Sequence, residues 1–387
     1  MPNNNIAVLV LTAHPSEDAR IIKHWEHTCR NYNESGIIQI LFAPESNGRC
    51  CENWHVIKDC LYIEKLRRRI YLGVRNRRYI EKALTIIACW KSQRVIVHVH
   101  DAVLLPIAVG IKKASNKCVK IIYDKHENGS MFTTHLSVFE ILLNEWSMKK
   151  YIDGIVFVSK SMNDEITHIW GAKLSRTMIP NYPKGSWRIP DKINQKIFNN
   201  NDQLNVVYFG SLGQDRDLEL VHAVSIQMLI TFPQLTIVIG GRGATPSATH
   251  LLNEMHHIYG ERFQFLGEVP YSDVIQKTQE AQFGFIPIRP GKGLKGKTIA
   301  SNKLSEYLLL GVVPLISWGD SQPVISEDYY ISLSGNPENY LVRIKQELND
   351  HKIAQRILEN FYSQTWENFV GRYDDIYRKV FNIDVVQ

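Results

Sequence analysis

The chain has 387 residues, with 45 Lys and Arg against 39 Asp and Glu and a formal net charge of +6. That length predicts two domains, and 44% apolar with 22% charged residues excludes a disordered or fibrous chain. No apolar run reaches the ~18 residues of a membrane span, and the basic balance favours anionic partners such as nucleotides, phosphorylated substrates or lipid.

Short β-branched runs alternate with helical patterns, which predicts parallel α/β sheets. Strands are expected at 6–12, 37–43, 94–100, 119–124 and 154–159, with helices within 103–116 and from about 136 to 151. A second set of strands is expected at 204–211, 235–241, 263–267, 282–288 and 312–317. Two such sets predict two Rossmann-like domains. The stretch 179–203 is rich in Pro and Asn and marks the boundary. The division expected is 1–183, a linker at 184–203, and 204–369, followed by an aromatic amphipathic helix within 365–381. The apolar stretch 6–13 lacks a basic leader and reads as a first strand, so a cytoplasmic location is expected.

All six cysteines lie in the first third and are expected as thiols. Cys50, Cys51, His55 and Cys60 fit no common zinc spacing, and no metal is expected there. Residues 60–91 carry Lys65, Arg67, Arg68, Arg69, Arg75, Arg77, Arg78, Lys82 and Lys91 among Leu, Ile, Tyr and Trp. Such a segment can lie on anionic lipid, or be a solvated helix face or an acceptor-phosphate patch. No nucleic-acid reading motif accompanies it, so nucleic acid is not an expected partner.

The most informative run is 288–316, IRPGKGLKGKTIASNKLSEYLLLGVVPLI. A Gly- and Lys-rich loop feeds a helix carrying Glu306, then an apolar strand. A helix N-terminus and glycines that admit close approach suit a phosphorylated ligand. Lys292, Lys295, Lys297 and Lys303 can add cationic charge, and Glu306 can accept from the vicinal hydroxyls of a ribose. A flexible basic loop before an ordinary amphipathic helix would look the same.

Within that run, SNKLSEYLLLGVVPLIS resembles the donor-site helix of retaining nucleotide-sugar glycosyltransferases of the GT-B fold, family 4 and its relatives. The resemblance implies two Rossmann-like domains facing a central cleft, with the last helix, about 370–387, crossing back to the first domain. It implies that Glu306 binds the nucleotide ribose; the family's second Glu, eight residues upstream, is Thr298 here. YFGSLGQDRDLELV (208–221) resembles the family's first turn of the second domain, placing Gly210, Ser211 and Arg216 at the donor diphosphate, with Ser211 standing where an Arg is frequent. VIGGRG (238–243) resembles the next glycine turn, bringing in Arg242, and FLGEVP (265–270) places the base near Gly267. Lys297, Asn302 and Lys303 complete the implied donor set. The formal D-x-D at Asp215 and Asp217 is read as shaping the turn rather than binding metal.

In the first half, TAHPSEDARI (12–21) resembles relatives with an H-P-x-x-D-x-R-I pattern and implies acceptor contacts by His14, Asp18 and Arg20; helix capping alone would also explain Asp18. HVHD (98–101) and YDKHE (123–127) resemble two strand-end motifs and imply a reaction centre at His126, Glu127, His100 and Asp101. The implied reaction moves a sugar from a nucleoside diphosphate to a glycan or polyprenyl-linked acceptor with retention, as in O-antigen, lipopolysaccharide or capsule assembly. No cofactor is implied, and the leaving phosphate can take the acceptor's proton. Two alternatives stay open: a nucleotide-binding subunit without catalysis, argued by Thr298 and Ser211, and a nucleotide-sugar 2-epimerase.

Overall fold

The structure, a computed structural model, describes residues 5–14, 18–41, 52–58, 68–125, 135–191, 193–194, 204–214, 216–289, 302–319 and 323–383. The chain divides into two compact units, Met1–Pro180 with Phe369–Gln387, and Asn181–Asn368.

The first unit is built on β1 (Ile6–Thr12), β2 (Ser35–Leu41), β3 (Trp54–Lys58), β4 (Arg94–Val99), β5 (Cys118–Lys125), β6 (Gly154–Phe157) and β7 (Ser175–Met178). They form one sheet in the order β3-β2-β1-β4-β5-β6-β7. Every pairing is parallel, with Leu9 of β1 opposite Gly36 of β2 and Val97 of β4. A parallel strand covered on both faces must be apolar throughout, and all seven residues of β1 are buried. The helices are α1 (Ala19–Asn31), α2 (Arg68–Ala88), α3 (Leu105–Ala114), α4 (His135–Met148) and α5 (Ser161–Trp170).

The second unit repeats the plan with β8 (Leu204–Phe209), β9 (Leu235–Gly240), β10 (Phe263–Phe265), β11 (Phe283–Pro287), β12 (Val313–Ser317) and β13 (Ile331–Ser332), in the order β10-β9-β8-β11-β12-β13. Its helices among the described residues include α6 (Leu218–Thr231), α7 (Pro246–Tyr259), α8 (Tyr271–Glu280), α9 (Asn302–Leu309), α10 (Pro337–Asp350) and α11 (Lys352–Phe361). In both sheets the strand order reverses beside the first strand of the set. That creates a switch point at β1/β4 and another at β8/β11, and ligands of such sheets bind at the carboxyl ends of the strands there.

Three strands escape the sequence pattern. β3 is a short run between cysteines, β7 (SRTM) has a single apolar residue, and β13 is two residues long. The final helix also differs from expectation. It breaks at Gly371 into a turn at Glu367–Val370 and α12 (Arg372–Lys379). α12 belongs to the first unit, where Tyr373, Ile376 and Tyr377 are buried. Gly154 makes room for it: a Cβ there would stand 2.8 Å from Ile122 and 3.2 Å from Ile376.

Candidate functional site

In the second unit, three glycine turns meet at the carboxyl ends of β8, β9 and β10. Gly210 N–H donates to the Gly240 carbonyl at 3.0 Å, Gly241 N–H to Gly267 at 2.7 Å, and Leu212 N–H to Arg242 at 2.9 Å. Lys303, in the first turn of α9, reaches back onto the first of these turns. A Cβ on Gly210 would lie 2.1 Å from the Lys303 ammonium, which also sits 5.5 Å above the Tyr208 ring. Gly210 itself has φ +157°, a backbone conformation that side chains rarely adopt, and the cation lies on its bare backbone.

One turn further along α9, the Glu306 carboxylate accepts a hydrogen bond from the Tyr271 hydroxyl at 2.7 Å. Tyr271 opens α8, and the Trp187 ring meets its ring edge-on at 5.3 Å. Trp187 is held in turn by Gln279, whose amide donates to its carbonyl at 2.6 Å. Leu304, Tyr307 and Leu308 bury the opposite side of α9, which leaves Lys303 and Glu306 half-buried toward the turns. A cation over glycine turns beside an oriented carboxylate offers charge to phosphate and acceptors to hydroxyls.

The remaining donor-set residues are placed unequally. Ser211 is exposed, and its hydroxyl accepts from Gly213 N–H at 3.2 Å. Arg216 bridges to Ile288 beside β11, and its carbonyl accepts from Arg289. Arg242 is exposed, 3.8 Å from Glu268. Asn302 is exposed at the start of α9. Asp217 caps α6 through Leu220 N–H at 3.1 Å. Lys292, Lys295, Lys297, Thr298 and Asp215 lie outside the described residues, as do His126 and Glu127.

In the first unit, the switch point carries a His–Asp pair. His14 follows β1, Asp101 follows β4, and His14 Nε2 lies 2.9 Å from Asp101 Oδ1. Asp18 caps α1, accepting from Arg20 and Ile21 N–H at 2.9 and 3.2 Å.

Two expectations for this unit need correction. Successive strand side chains alternate faces, so His100 turns inward while Asp101 reaches the strand end. His100 is 2% exposed and hydrogen-bonded through Nε2 to His24 at 2.8 Å, inside the domain. Arg20 is likewise 3% exposed, forked onto Asp124 and donating to the Ile179 carbonyl, so it holds the interior together rather than meeting an acceptor.

These residues belong to a buried polar ring that the sequence reading missed. Tyr377 of α12 bridges His24 Nε2 at 2.8 Å and His98 Nδ1 at 2.7 Å. His98 and His100 face Asp124 at 3.4 and 3.5 Å, and Tyr373 donates to Asp124 at 3.2 Å. The i, i+2 spacing of His98 and His100 and the i, i+4 spacing of Tyr373 and Tyr377 were the available signals. The nitrogens of His24, His98 and His100 lie within 4.8 Å of one another, a spacing that admits a metal ion. The ring is instead knit by hydrogen bonds to Tyr377, and the neighbouring Arg20 cation opposes a second positive charge.

Burial, reinforced by His98 and His100, holds the His24 imidazole well below its ordinary value. A neutral buried His means the unfolded chain binds more protons at acid pH, so stability is complete above about pH 6.5 and falls below it. The expected loss from this residue is about 1.4 kcal/mol per pH unit below that point, continuing down toward the folded-state pKa. Urea midpoints measured from pH 7.5 to 5 check this: a His24→Gln variant should show a shallower acid fall than the parent, and equal slopes would refute it.

No protein-family model matches the chain, and no curated protein matches its sequence. Solved structures do match. A sucrose-phosphate synthase from Thermosynechococcus elongatus is 13% identical with a TM-score of 0.68, over 97% of this chain and 99% of that one. Anabaena HepE, solved in complex with UDP, is 11% identical with a TM-score of 0.64, over 96% and 100%. A UDP-forming α,α-trehalose-phosphate synthase from Burkholderia vietnamiensis is 13% identical with a TM-score of 0.62, over 98% and 100%. These likenesses run the length of the chain, and the fold is GT-B, two Rossmann-like α/β domains.

Proposed function

We propose that the chain is a retaining glycosyltransferase that takes its sugar from a nucleoside diphosphate bound on the second unit. The observation that carries the proposal is the meeting of three glycine turns with Lys303 on Gly210 and Glu306 on Tyr271. Lys303 neutralises the diphosphate, Glu306 holds the ribose hydroxyls, and Arg216 and Arg242 supply further positive charge. Preorganised charge at the leaving diphosphate is the main rate term such a site can offer. The reading keeps His126 and Glu127 at the reaction centre and Lys297, Thr298 and Asn302 at the donor, and it requires no metal.

For the acceptor, a glycan or polyprenyl-linked sugar of a bacterial surface polysaccharide is the first reading. It is favoured by the basic stretch 60–91, of which Arg77, Arg78 and Lys82 are exposed on α2. Peripheral contact with anionic lipid on the cytoplasmic face follows from that reading. No helix among the described residues is long and apolar enough to cross a membrane. A sugar phosphate is the second reading, favoured by the fold likeness to two sugar-phosphate synthases.

The test is a thermal-shift screen with UDP, GDP, CMP and common nucleotide sugars. A ligand at a hundredfold its dissociation constant stabilises the fold by about 2.7 kcal/mol. We expect one nucleoside diphosphate to shift the parent and Glu306→Ala to abolish that shift. A shift that survives Glu306→Ala removes the site assignment, and no shift with any nucleotide removes the function.

A further inference from the structure

We propose that the outer face of α4, centred on Trp146, is a docking surface that seats in the headgroup layer of an anionic lipid membrane. It adds an apolar anchor on a second helix to the lipid contact argued from 60–91. It stands or falls independently of sugar transfer.

Helix α4 turns its charge inward and its apolar residues outward. Glu145 is 1% exposed, and its Oε1 accepts from Lys125 Nζ at 2.6 Å and from the Tyr123 hydroxyl at 2.8 Å. Leu142, Leu143 and Trp146 are instead 46%, 42% and 67% exposed. Spacings of three and four residues place both leucines beside Trp146 on one helix face. The other exposed large apolar residues among those described stand singly along the chain and need no explanation. A cluster of three within five residues does.

The rim of this cluster is positive. α3 packs beside α4 in the first unit, and Lys113 near the end of α3 lies 4.6 Å from the centre of the Tyr151 ring. Lys150, just beyond the end of α4, lies over the same ring at 5.1 Å, and Lys149 is exposed next to it. The neighbouring lysines nearer the sheet are neutralised, Lys112 and Lys120 by Asp153 and Lys125 by Glu145. Lys113, Lys149 and Lys150 are exposed and form no ion pair with a described residue. Their charge is felt locally: a hydrogen bond from Lys113, reinforced by Lys150, holds the Tyr151 phenol below its ordinary value.

Two cations on one ring repel each other, and an anion set before them relieves that cost. A lipid phosphate supplies the anion while the upper acyl chains receive the leucines and the indole. Tryptophan suits that boundary because its body is apolar and its N–H is polar. A second copy of this chain fits less well. A two-fold contact would close the patch on itself and set Lys113, Lys149 and Lys150 against their own copies.

The test is flotation of the full chain with vesicles of equal parts phosphatidylcholine and phosphatidylglycerol, or of phosphatidylcholine alone. We expect the parent to float with the anionic vesicles only and to be released by salt. Trp146→Ala should keep the parent's urea midpoint, because the side chain is exposed, and bind about tenfold more weakly. Lys149→Gln/Lys150→Gln should lose about fivefold for each charge removed. Trp146→Phe should keep binding yet lose most of the tryptophan quenching caused by doxyl-labelled lipid. A parent that ignores both vesicles overturns the proposal, as does Trp146→Ala binding like the parent. In the second case, loss of binding in Arg77→Gln/Arg78→Gln/Lys82→Gln would place the contact on α2 alone. A parent that is dimeric and ignores vesicles, with a monomeric Trp146→Ala, assigns the face to a second copy and overturns it too. Vesicle binding without a nucleotide thermal shift keeps this surface and removes the glycosyl-transfer reading. A nucleotide shift without vesicle binding does the reverse.

Discussion

Gly241→Ala is expected to cost the second unit several kcal/mol and to remove its nucleotide response. The backbone there has φ +150°, a region open essentially to glycine alone and worth roughly 1–3 kcal/mol of strain to any other residue. Strain is the smaller part. A Cβ would stand 1.7 Å from the Gly210 carbonyl oxygen and 2.8 Å from its carbonyl carbon, and both atoms are backbone. No rotamer change relieves that overlap, so the Gly210 turn must move away and lose the place where Lys303 rests. Gly243 supplies the control. It has φ +76° and nothing within 4 Å of a built Cβ, so Gly243→Ala carries only the conformational cost of about 1–2 kcal/mol. Urea denaturation and nucleotide thermal shift of the two variants separate close approach from backbone strain. A Gly241→Ala protein with parent stability and nucleotide response would show that the turns tolerate displacement.

The contrast between these glycines shows what the sequence could and could not say. VIGGRG announces a turn after a strand, but the letters do not distinguish Gly241, where an added Cβ would strike another turn, from Gly243, where it would meet nothing within 4 Å. The two α/β sets were legible because a parallel strand buried on both faces must be written in β-branched residues, as in IAVLVLT and LTIVIG. β7 and β13 were not, because an edge or a two-residue strand demands little of its composition. The same limit governed the candidate site. Glu306 and Lys303 sit on a helix whose local pattern marks them, whereas Tyr271, which bonds Glu306, and Trp187, which packs on Tyr271, come from 35 and 119 residues before Glu306 and have no local signal. Across β1 and β4, His14 and Asp101 were each noted for separate roles, and only the strand order makes them a pair. His100 stands one residue before Asp101, and strand alternation sends it inward to His24.

Arg20→Met is expected to destabilise the first unit by about 3–5 kcal/mol, because it strands the Asp124 charge in the interior. Asp124 is fully buried, and the guanidinium meets it with Nε at 3.1 Å and Nη2 at 2.9 Å. Burial opposes the Arg20 charge, but Asp124 more than offsets it, and the guanidinium is held above its ordinary value. The pair is therefore ionised, and each charge is tolerable only beside the other. Asp124→Asn should cost a similar amount, since it leaves a buried cation and weakens the acceptor facing Tyr373, His98 and His100. The double variant Arg20→Met/Asp124→Asn removes both charges, so its loss should fall short of the sum by about 2 kcal/mol or more. Urea unfolding of the four proteins at pH 7.5 gives that coupling directly. Additive losses would mean that the two charges do not stabilise one another. In that case the anchoring of α12 beside them would rest on the Tyr377 contacts to His24 and His98 and on the apolar packing of Ile376.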